Sequence, residues 1–403
     1  MAAPSFSPKR MAVLTAVLGL LSLMPPLATD MYLSAMGDLA RAMNASHAAT
    51  ELSLSLFFLG LCVGQLLIGP LIEGYGRKGP LLAGTALFCA TSVALPMVQN
   101  IILFDALRFV QAIGASAGMV VGRTIVNDIY TGKRAAKAMT VLVMLLTIGP
   151  IISPTLGSLL LGRFGWESIF VTMALIAFAA LILSYRLVPE TLPAESRSKR
   201  PFREGASTAG LLLRHRGFLI PAVVTGLIQG GMFAFITGSS GVFQGVFGLS
   251  ALSYGIVFAL IAAALVMFGQ INSALLNHYS PEQILNRGLP AFVASALLVV
   301  AVSGTQSIWV FAAPLWVTIG MVGMLSANAM SVTMAETRGK AGIGSALLGA
   351  VQFGLAFAVS SGVALAGTST ALPMSLGLLL PAGAAALLWA FARHGQLHQL
   401  ADA

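Results

Sequence analysis

The stretch ELSLSLFFLGLCVGQLLIGPLIEGYGRKG, Glu51 to Gly79, holds twenty-one consecutive residues without a charge, Leu52 to Ile72. It then turns abruptly polar, with Glu73, Arg77 and Lys78 set among glycines at 74, 76 and 79. A helix needs about 20 mostly apolar residues to cross roughly 30 Å of hydrocarbon, and this run supplies them in one piece. Strands of a membrane barrel would alternate in polarity instead. The reading is a membrane-spanning helix that ends in a charged, glycine-rich turn.

Eleven further runs of the same kind flank it, at approximately 11–35, 79–98, 102–125, 138–160, 166–188, 217–240, 251–276, 288–305, 308–333, 341–365 and 371–392. The composition agrees. Of 403 residues, 57% are hydrophobic and 9% are Asp, Glu, Lys or Arg, against roughly 25% charged in a soluble domain. The mean hydropathy is +0.91. Such a chain is too apolar for intrinsic disorder. Its two cysteines, Cys62 and Cys89, cannot build a disulfide framework or a cysteine-rich metal site, and no metal is expected. The expected fold is therefore all-α and integral to the membrane, with twelve helices. The most polar stretch, around ETLPAESRSKRPFREG, splits it into residues 1–188, a six-helix bundle, a cytoplasmic central loop at 189–216, and a second six-helix bundle at 217–403. The basic residues of that loop read as a solvated linker.

The net charge of +9 is a topological signal rather than a nucleic-acid surface. Cytoplasmic loops are enriched in Lys and Arg. With the N-terminus inside, eighteen fall on that side: Lys9, Arg10, Arg77, Lys78, Lys133, Arg134, Lys137, Arg186, Arg197, Lys199, Arg200, Arg203, Arg214, Arg216, Arg287, Arg338, Lys340 and Arg393. Only Arg41 and Arg163 fall outside, and Arg108 and Arg123 lie within or at the end of a span. Both termini are expected in the cytoplasm. Lys9-Arg10 and the apolar run behind them imitate a secretory signal, read here as an uncleaved first helix.

Two parallel repeats are suggested by the six-plus-six spacing and by a faint echo of Gly64-Gln65 in Gly269-Gln270. That is the layout of a secondary transporter with its site at the midplane. No GxxxxGK[ST] phosphate loop occurs, so ATP is not the direct energy source.

Charges inside spans cost about 2.5 kcal/mol or more each and mark function. Asp30 lies toward the outer half of the first helix, just past Pro25-Pro26, and Arg108 sits at compatible depth in the fourth. Asp30 either carries a proton or forms a permanent pair with Arg108 that pins two helices. Asp105 reads as an interfacial residue. The interior of the second half offers only neutral groups, Gln229, Asn272, Asn328 and Gln352, so proton chemistry belongs to the first half. These amides suit either a polar substrate or helix–helix hydrogen bonds. Glu73, Arg77 and Lys78 after the second helix, with Arg123 and Asp128 at the end of the fourth, suggest a gate lock. The histidines, at 47, 215, 278, 394 and 398, fall in loops or at ends, which supports neither a catalytic triad nor a metal site. The chain is not expected to be an enzyme.

GPLIEGYGRKGPLLAG, Gly69 to Gly84, resembles the signature loop of the major facilitator superfamily, roughly G-x-L-a-D-r-x-G-R-r, with Glu73 in place of the aspartate and Gly74 in place of an arginine. TDMYLSAMGDLA (Thr29 to Ala40) resembles the first-helix TDMYLPA-type word of Bcr/CflA-type drug:proton antiporters, with Ser34 and Gly37 replacing prolines. LRFVQAIGASAGMVVGRTIVNDIY (Leu107 to Tyr130) is similar to that family's fourth-helix motif and keeps Arg108, Gln111, Gly114, Arg123 and Asp128. TIGPIISPTLGSLL (Thr147 to Leu160) resembles its fifth-helix antiporter motif through Gly149, Pro154 and Gly157, with Ser153 and Ser158 at glycine positions. GWESIF (Gly165 to Phe170) looks like GWRxIF with Glu167 for the arginine.

The resemblance implies that Asp30 couples protonation to transport and that Arg108 is a cavity residue. Tyr32, Phe57, Gln111 and Gln229 are expected to line the substrate path with it. Gly69, Glu73, Gly76, Arg77, Lys78, Arg123 and Asp128 would form the gate, Arg77 pairing with Asp128 and Glu73 facing the helix that starts near Gly342. Gly149, Pro154 and Gly157 would give a pliable, close-packed interface. The expected activity is export of small amphipathic drugs or antibiotics across the bacterial inner membrane by alternating access. The proton gradient supplies the energy, no cofactor is needed, and the protein works as a monomer in the bilayer. Export of an endogenous metabolite, an amino acid or sugar, on the same scaffold is the alternative.

Overall fold

A computed structural model of the chain describes residues 8–130, 132–337, 341–367 and 369–401. Of the basic residues counted above, Arg338 and Lys340 lie outside the described residues. So do the side chains of Lys9, Arg10, Lys133, Arg134, Lys137 and Arg393, and those of His394 and His398.

Every regular element among the described residues is helical. Short 3-10 and π turns apart, of which the 3-10 turn Leu33–Ala35 follows α1, these are in chain order α1 (Pro8–Asp30), α2 (Met36–Ala42), α3 (His47–Tyr75), α4 (Lys78–Ala94), α5 (Ile101–Ile129), α6 (Gly132–Phe164) and α7 (Glu167–Leu187). Then follow α8 (Pro201–Arg214), α9 (Arg216–Ser240), α10 (Ala251–Leu275), α11 (Pro281–Ala301), α12 (Ile308–Ala335), α13 (Ala341–Ala366) and α14 (Leu372–Ala401). In hydrocarbon each segment must satisfy its own backbone, and a helix does so without a partner. Eleven candidate spans coincide with expected apolar runs. The remaining run, 138–160, falls inside α6, several of whose side chains lie outside the described residues. Helix starts are fixed locally. Asn100 accepts from the N–H groups of Ile102 and Leu103 at the head of α5, and Ser280 with Gln283 forms a reciprocal capping box on α11.

The chain divides into two compact units, Met1–Ala45 with Leu56–Thr208, and Ser46–Ser55 with Ala209–Ala403. Within the first, α1 packs on α6, α5 and α7, and α4 packs on α5 and α7. Within the second, α9 packs on α13, α12 and α14, while α11 packs on α12 and α14. Replacing α1, α4, α5, α6 and α7 by α9, α11, α12, α13 and α14 maps one set of pairings onto the other. The repeat that is faint in sequence is thus plain in packing, because a helix pair needs compatible small and large residues rather than particular ones.

The central stretch is not a featureless linker. It contains α8, whose Gly205 packs on Pro70 in the first unit and whose Leu212 joins Phe218, Ala222, Leu347 and Leu348 in a buried cluster of the second. The unit boundary falls between Thr208 and Ala209, within this helix.

Backbones approach closely where glycine permits it. A Cβ on Gly157 of α6 would overlap the carbonyl oxygen of Met31, and one on Gly60 of α3 would overlap that of Phe109 on α5. Small residues let membrane helices gain van der Waals contact and lie near partner carbonyls.

Candidate functional site

Arg108 is the largest fully buried side chain of the first unit, with none of its surface exposed. Its position on α5 places it beside the end of α1 and the middle of α3. The guanidinium lies between two rings, 4.5 Å from the centroid of Tyr32 and 4.3 Å from that of Phe57, a cation–π sandwich of the kind a planar guanidinium favours. Its Nη1 donates to Gln111 Oε1 at 2.6 Å and its Nη2 to the carbonyl of Ala28 at 2.8 Å. Gln111 passes the chain on, donating from Nε2 to Ser92 Oγ at 2.8 Å, and Ser92 donates to the Phe88 carbonyl at 2.7 Å. Arg108 Nε has no hydrogen-bond partner. Three of the expected substrate-path residues, Tyr32, Phe57 and Gln111, therefore meet on one cation.

Asp30 is the last residue of α1, where the helix gives way to the 3-10 turn. It is 1% exposed. Its Oδ1 accepts a 2.7 Å hydrogen bond from Thr29 Oγ1, and its Oδ2 is buried without a partner. It forms no ion pair with Arg108, so the permanent-pair reading is not what the structure contains. Asp105, one helical turn from Arg108 on α5, is half-buried, with its Oδ1 buried and unpartnered.

The second cluster lies at the α3–α4 turn. Arg77 is 6% exposed and reaches three acceptors: Glu73 Oε1 at 3.1 Å from Nη1, the Ile72 carbonyl at 2.7 Å, also from Nη1, and Asp128 Oδ2 at 3.2 Å from Nε. Gly76 adopts φ +89°, a conformation glycine takes without penalty. Lys78 donates from Nζ to the Tyr185 carbonyl at 2.7 Å. Arg123 sits half-buried on α5 and joins no ion pair among the described residues.

The sequence reading missed Glu190 in this cluster. It accepts from the backbone N–H of Arg77 at 2.8 Å, Lys78 at 3.2 Å and Leu192 at 3.0 Å, and lies 3.7 Å from Arg197 Nη2. Partial burial pushes its carboxyl up, but those N–H groups and the Arg197 charge outweigh it and hold it below the ordinary glutamate value. The available signal was an acid immediately after an apolar run, VPET, at the edge of a basic stretch.

The remaining predicted residues are spread. Gly69 lies within α3, beside Pro70. Gly149 of α6 faces Pro26 of α1, where a Cβ would stand 2.9 Å from the proline Cβ. Pro154 lies within α6, its carbonyl accepting from Ser158 Oγ at 2.7 Å. Gln229 is half-buried on α9 in the second unit. Asn328 donates to Asn272 Oδ1 at 2.6 Å, tying α12 to α10, while Gln352 Nε2 is buried without a partner.

The profile of the Major Facilitator Superfamily matches residues 18–361. The chain is 31% identical to an uncharacterized MFS-type transporter, YdgK, of Bacillus subtilis over 91% of its length and 92% of that protein. It is 30% identical to the multidrug resistance protein MdtL of Escherichia coli O157:H7, covering 82% of this chain and 83% of that one. It is 27% identical to a bicyclomycin resistance protein homolog of Haemophilus influenzae, covering 89% and 90%. In fold it matches the crystal structure of a D-xylose-proton symporter with TM-score 0.73 at 16% identity, over 94% of this chain and 97% of that one. Helical spans and these likenesses together make the chain a multi-pass membrane member of the major facilitator superfamily, a family of transporters, with relatives named for multidrug and bicyclomycin resistance.

Proposed function

We propose that the protein is a proton-coupled antiporter that exports small amphipathic drugs or antibiotics across the bacterial inner membrane by alternating access, with both termini in the cytoplasm. The observation that carries the reading is Asp30. It is a buried carboxyl inside a spanning unit, with one oxygen held by Thr29 and the other unpartnered. Such a group can take up and lose a proton without breaking an ion pair. Intramembrane acids of transporters lie on ion paths, and the names of MdtL and of the bicyclomycin resistance homolog fit a drug-class substrate.

In this reading Asp30 carries the proton. Arg108, Tyr32, Phe57, Gln111 and Gln229 contact the substrate. Arg77, bridging Glu73 and Asp128, acts as the cytoplasmic gate with Gly69, Gly76, Lys78 and Arg123 around it. Gly149, Pro154 and Gly157 allow α6 to slide against α1. The proton gradient is the energy source, no cofactor takes part, and the monomer is the working unit.

The test is proton release from inverted vesicles on addition of phenicols, bicyclomycin-like antibiotics, cationic dyes and amino acids, with Asp30→Asn in parallel. Drug-class compounds should dissipate the pH gradient only with the unmutated protein. Coupled efflux that persists in Asp30→Asn would sink the assignment, and a response to amino acids alone would replace drug export by metabolite export.

A further inference from the structure

The segment that follows α7 folds back onto the α3–α4 turn through several side chains and its own backbone. Arg77 is the N-cap residue of α4 and makes no side-chain cap of its own. Glu190 supplies that cap from a distance in sequence, its Oε1 accepting from Arg77 N–H and its Oε2 from Lys78 N–H. A carboxylate here satisfies the first donors of the helix and meets the positive end of its dipole. Thr191 donates from Oγ1 to Asp128 Oδ2 at 2.6 Å, the same oxygen that Arg77 Nε reaches. Ser198 N–H donates to the Glu73 carbonyl at 2.9 Å. Gly76 makes room for all this, since a Cβ there would overlap Glu190 Oε2.

Each member of the Glu73–Arg77–Asp128 bridge is thus touched by the segment 190–198: Arg77 on its backbone, Asp128 on its carboxylate and Glu73 on its carbonyl. We propose that Glu190 and Thr191 are positioning residues of the gate. They hold the α3–α4 turn and Asp128 in the register in which Arg77 spans them, so that release of this segment accompanies each transport cycle. The inference rests on the reading of the α3–α4 turn as a gate. It makes the central stretch part of the moving machinery rather than a tether between bundles.

Two measurements on the full chain test it. One is the rate at which trypsin cuts the detergent-solubilised protein after Lys199, the Arg200–Pro201 bond being resistant to trypsin. The other is the kcat and KM of substrate-driven proton release in proteoliposomes. The variants are Glu190→Gln, Glu190→Asp, Thr191→Val and Thr191→Ser. Losing one charge-assisted hydrogen bond corresponds to about a tenfold change. Glu190→Gln and Thr191→Val should therefore be cut about that much faster and turn over about that much more slowly, with KM unchanged, while Asp and Ser recover most of both. Thr191 bonds Asp128 at an exposed site, so its valine variant keeps the fold and the test intact. Cleavage rates equal to the unmutated protein overturn the docking. Faster cleavage with unaltered kcat overturns the positioning role. A chain that releases no protons with any compound defeats the transport reading instead, and the cleavage rates then decide the docking alone.

Discussion

Arg108 Nη2 donates a 2.8 Å hydrogen bond to the carbonyl of Ala28, two residues before Asp30, and not to the Asp30 carboxylate. The guanidinium is held by a carbonyl, an amide and two aromatic faces, all neutral. The Asp30 carboxyl is therefore not tied up in an ion pair with Arg108, whose guanidinium keeps its charge throughout.

The first prediction follows from the absence of that pair. Removing one member of a buried ion pair costs about 3–5 kcal/mol, because a charge is left uncompensated. Asp30→Asn removes no such pair and keeps an oxygen for Thr29. Its thermal unfolding in detergent should stay within about 1 kcal/mol of the unmutated protein, the range of substitutions that break no key contact, while proton release is lost. A large drop in melting temperature would show that Asp30 is structural after all.

Arg108→Lys should behave in the opposite way. An ammonium cannot bond Gln111 and Ala28 from one plane while lying between the Tyr32 and Phe57 rings. Each lost hydrogen bond to a charged group costs about 1.5–3 kcal/mol, so this variant should be strongly destabilised despite its retained charge. Denaturant titration of the purified protein measures the difference, and a variant as stable as the parent would mean that the sandwich contributes little.

Two glycines of α6 make a controlled comparison. Gly157→Ala places a methyl group against the Met31 carbonyl, where backbone and not a flexible side chain must give way. Overpacking of this kind costs about 1–3 kcal/mol. Gly162→Ala meets nothing within 4 Å and should gain about 0.5–1 kcal/mol of helix propensity. Melting temperatures that move in opposite directions are the expected result.

The pH dependence of the α3–α4 turn has a definite sign. Glu190 is held below its ordinary value in the folded chain, so its stabilising effect is complete above the unfolded carboxyl value of about 4.3. It disappears as pH falls through the lower folded value. The melting-temperature gap between the unmutated protein and Glu190→Gln should be constant from pH 7 to about 5 and close at more acid pH. A gap that widens on acidification would contradict the clamp.

Much of the fold was legible because hydrocarbon taxes each polar group where it stands. Leu52 to Ile72 reads as a span without knowledge of any neighbour, and Asp30 and Arg108 stand out because a charge in such a run is costly. The charged residues of the α3–α4 turn and of the end of α5 were visible for the same reason. Their partners were not. Glu73, Arg77 and Asp128 come together, whereas Arg123, also basic and on α5 with Asp128, joins no ion pair among the described residues.

By itself, then, the sequence determined that the chain is helical and membrane-embedded, where its apolar spans run and which residues are costly to bury. Only the tertiary structure decided that Arg108 turns to Ala28, and that Glu190 caps α4. These bonds join residues 80 and 113 positions apart. Hydrophobic periodicity specifies which face of a helix meets lipid. The rotation and depth at which two helices pack, and so which donor finds which acceptor, depend on contacts such as Gly157 on Met31 that exist only once the bundle has closed.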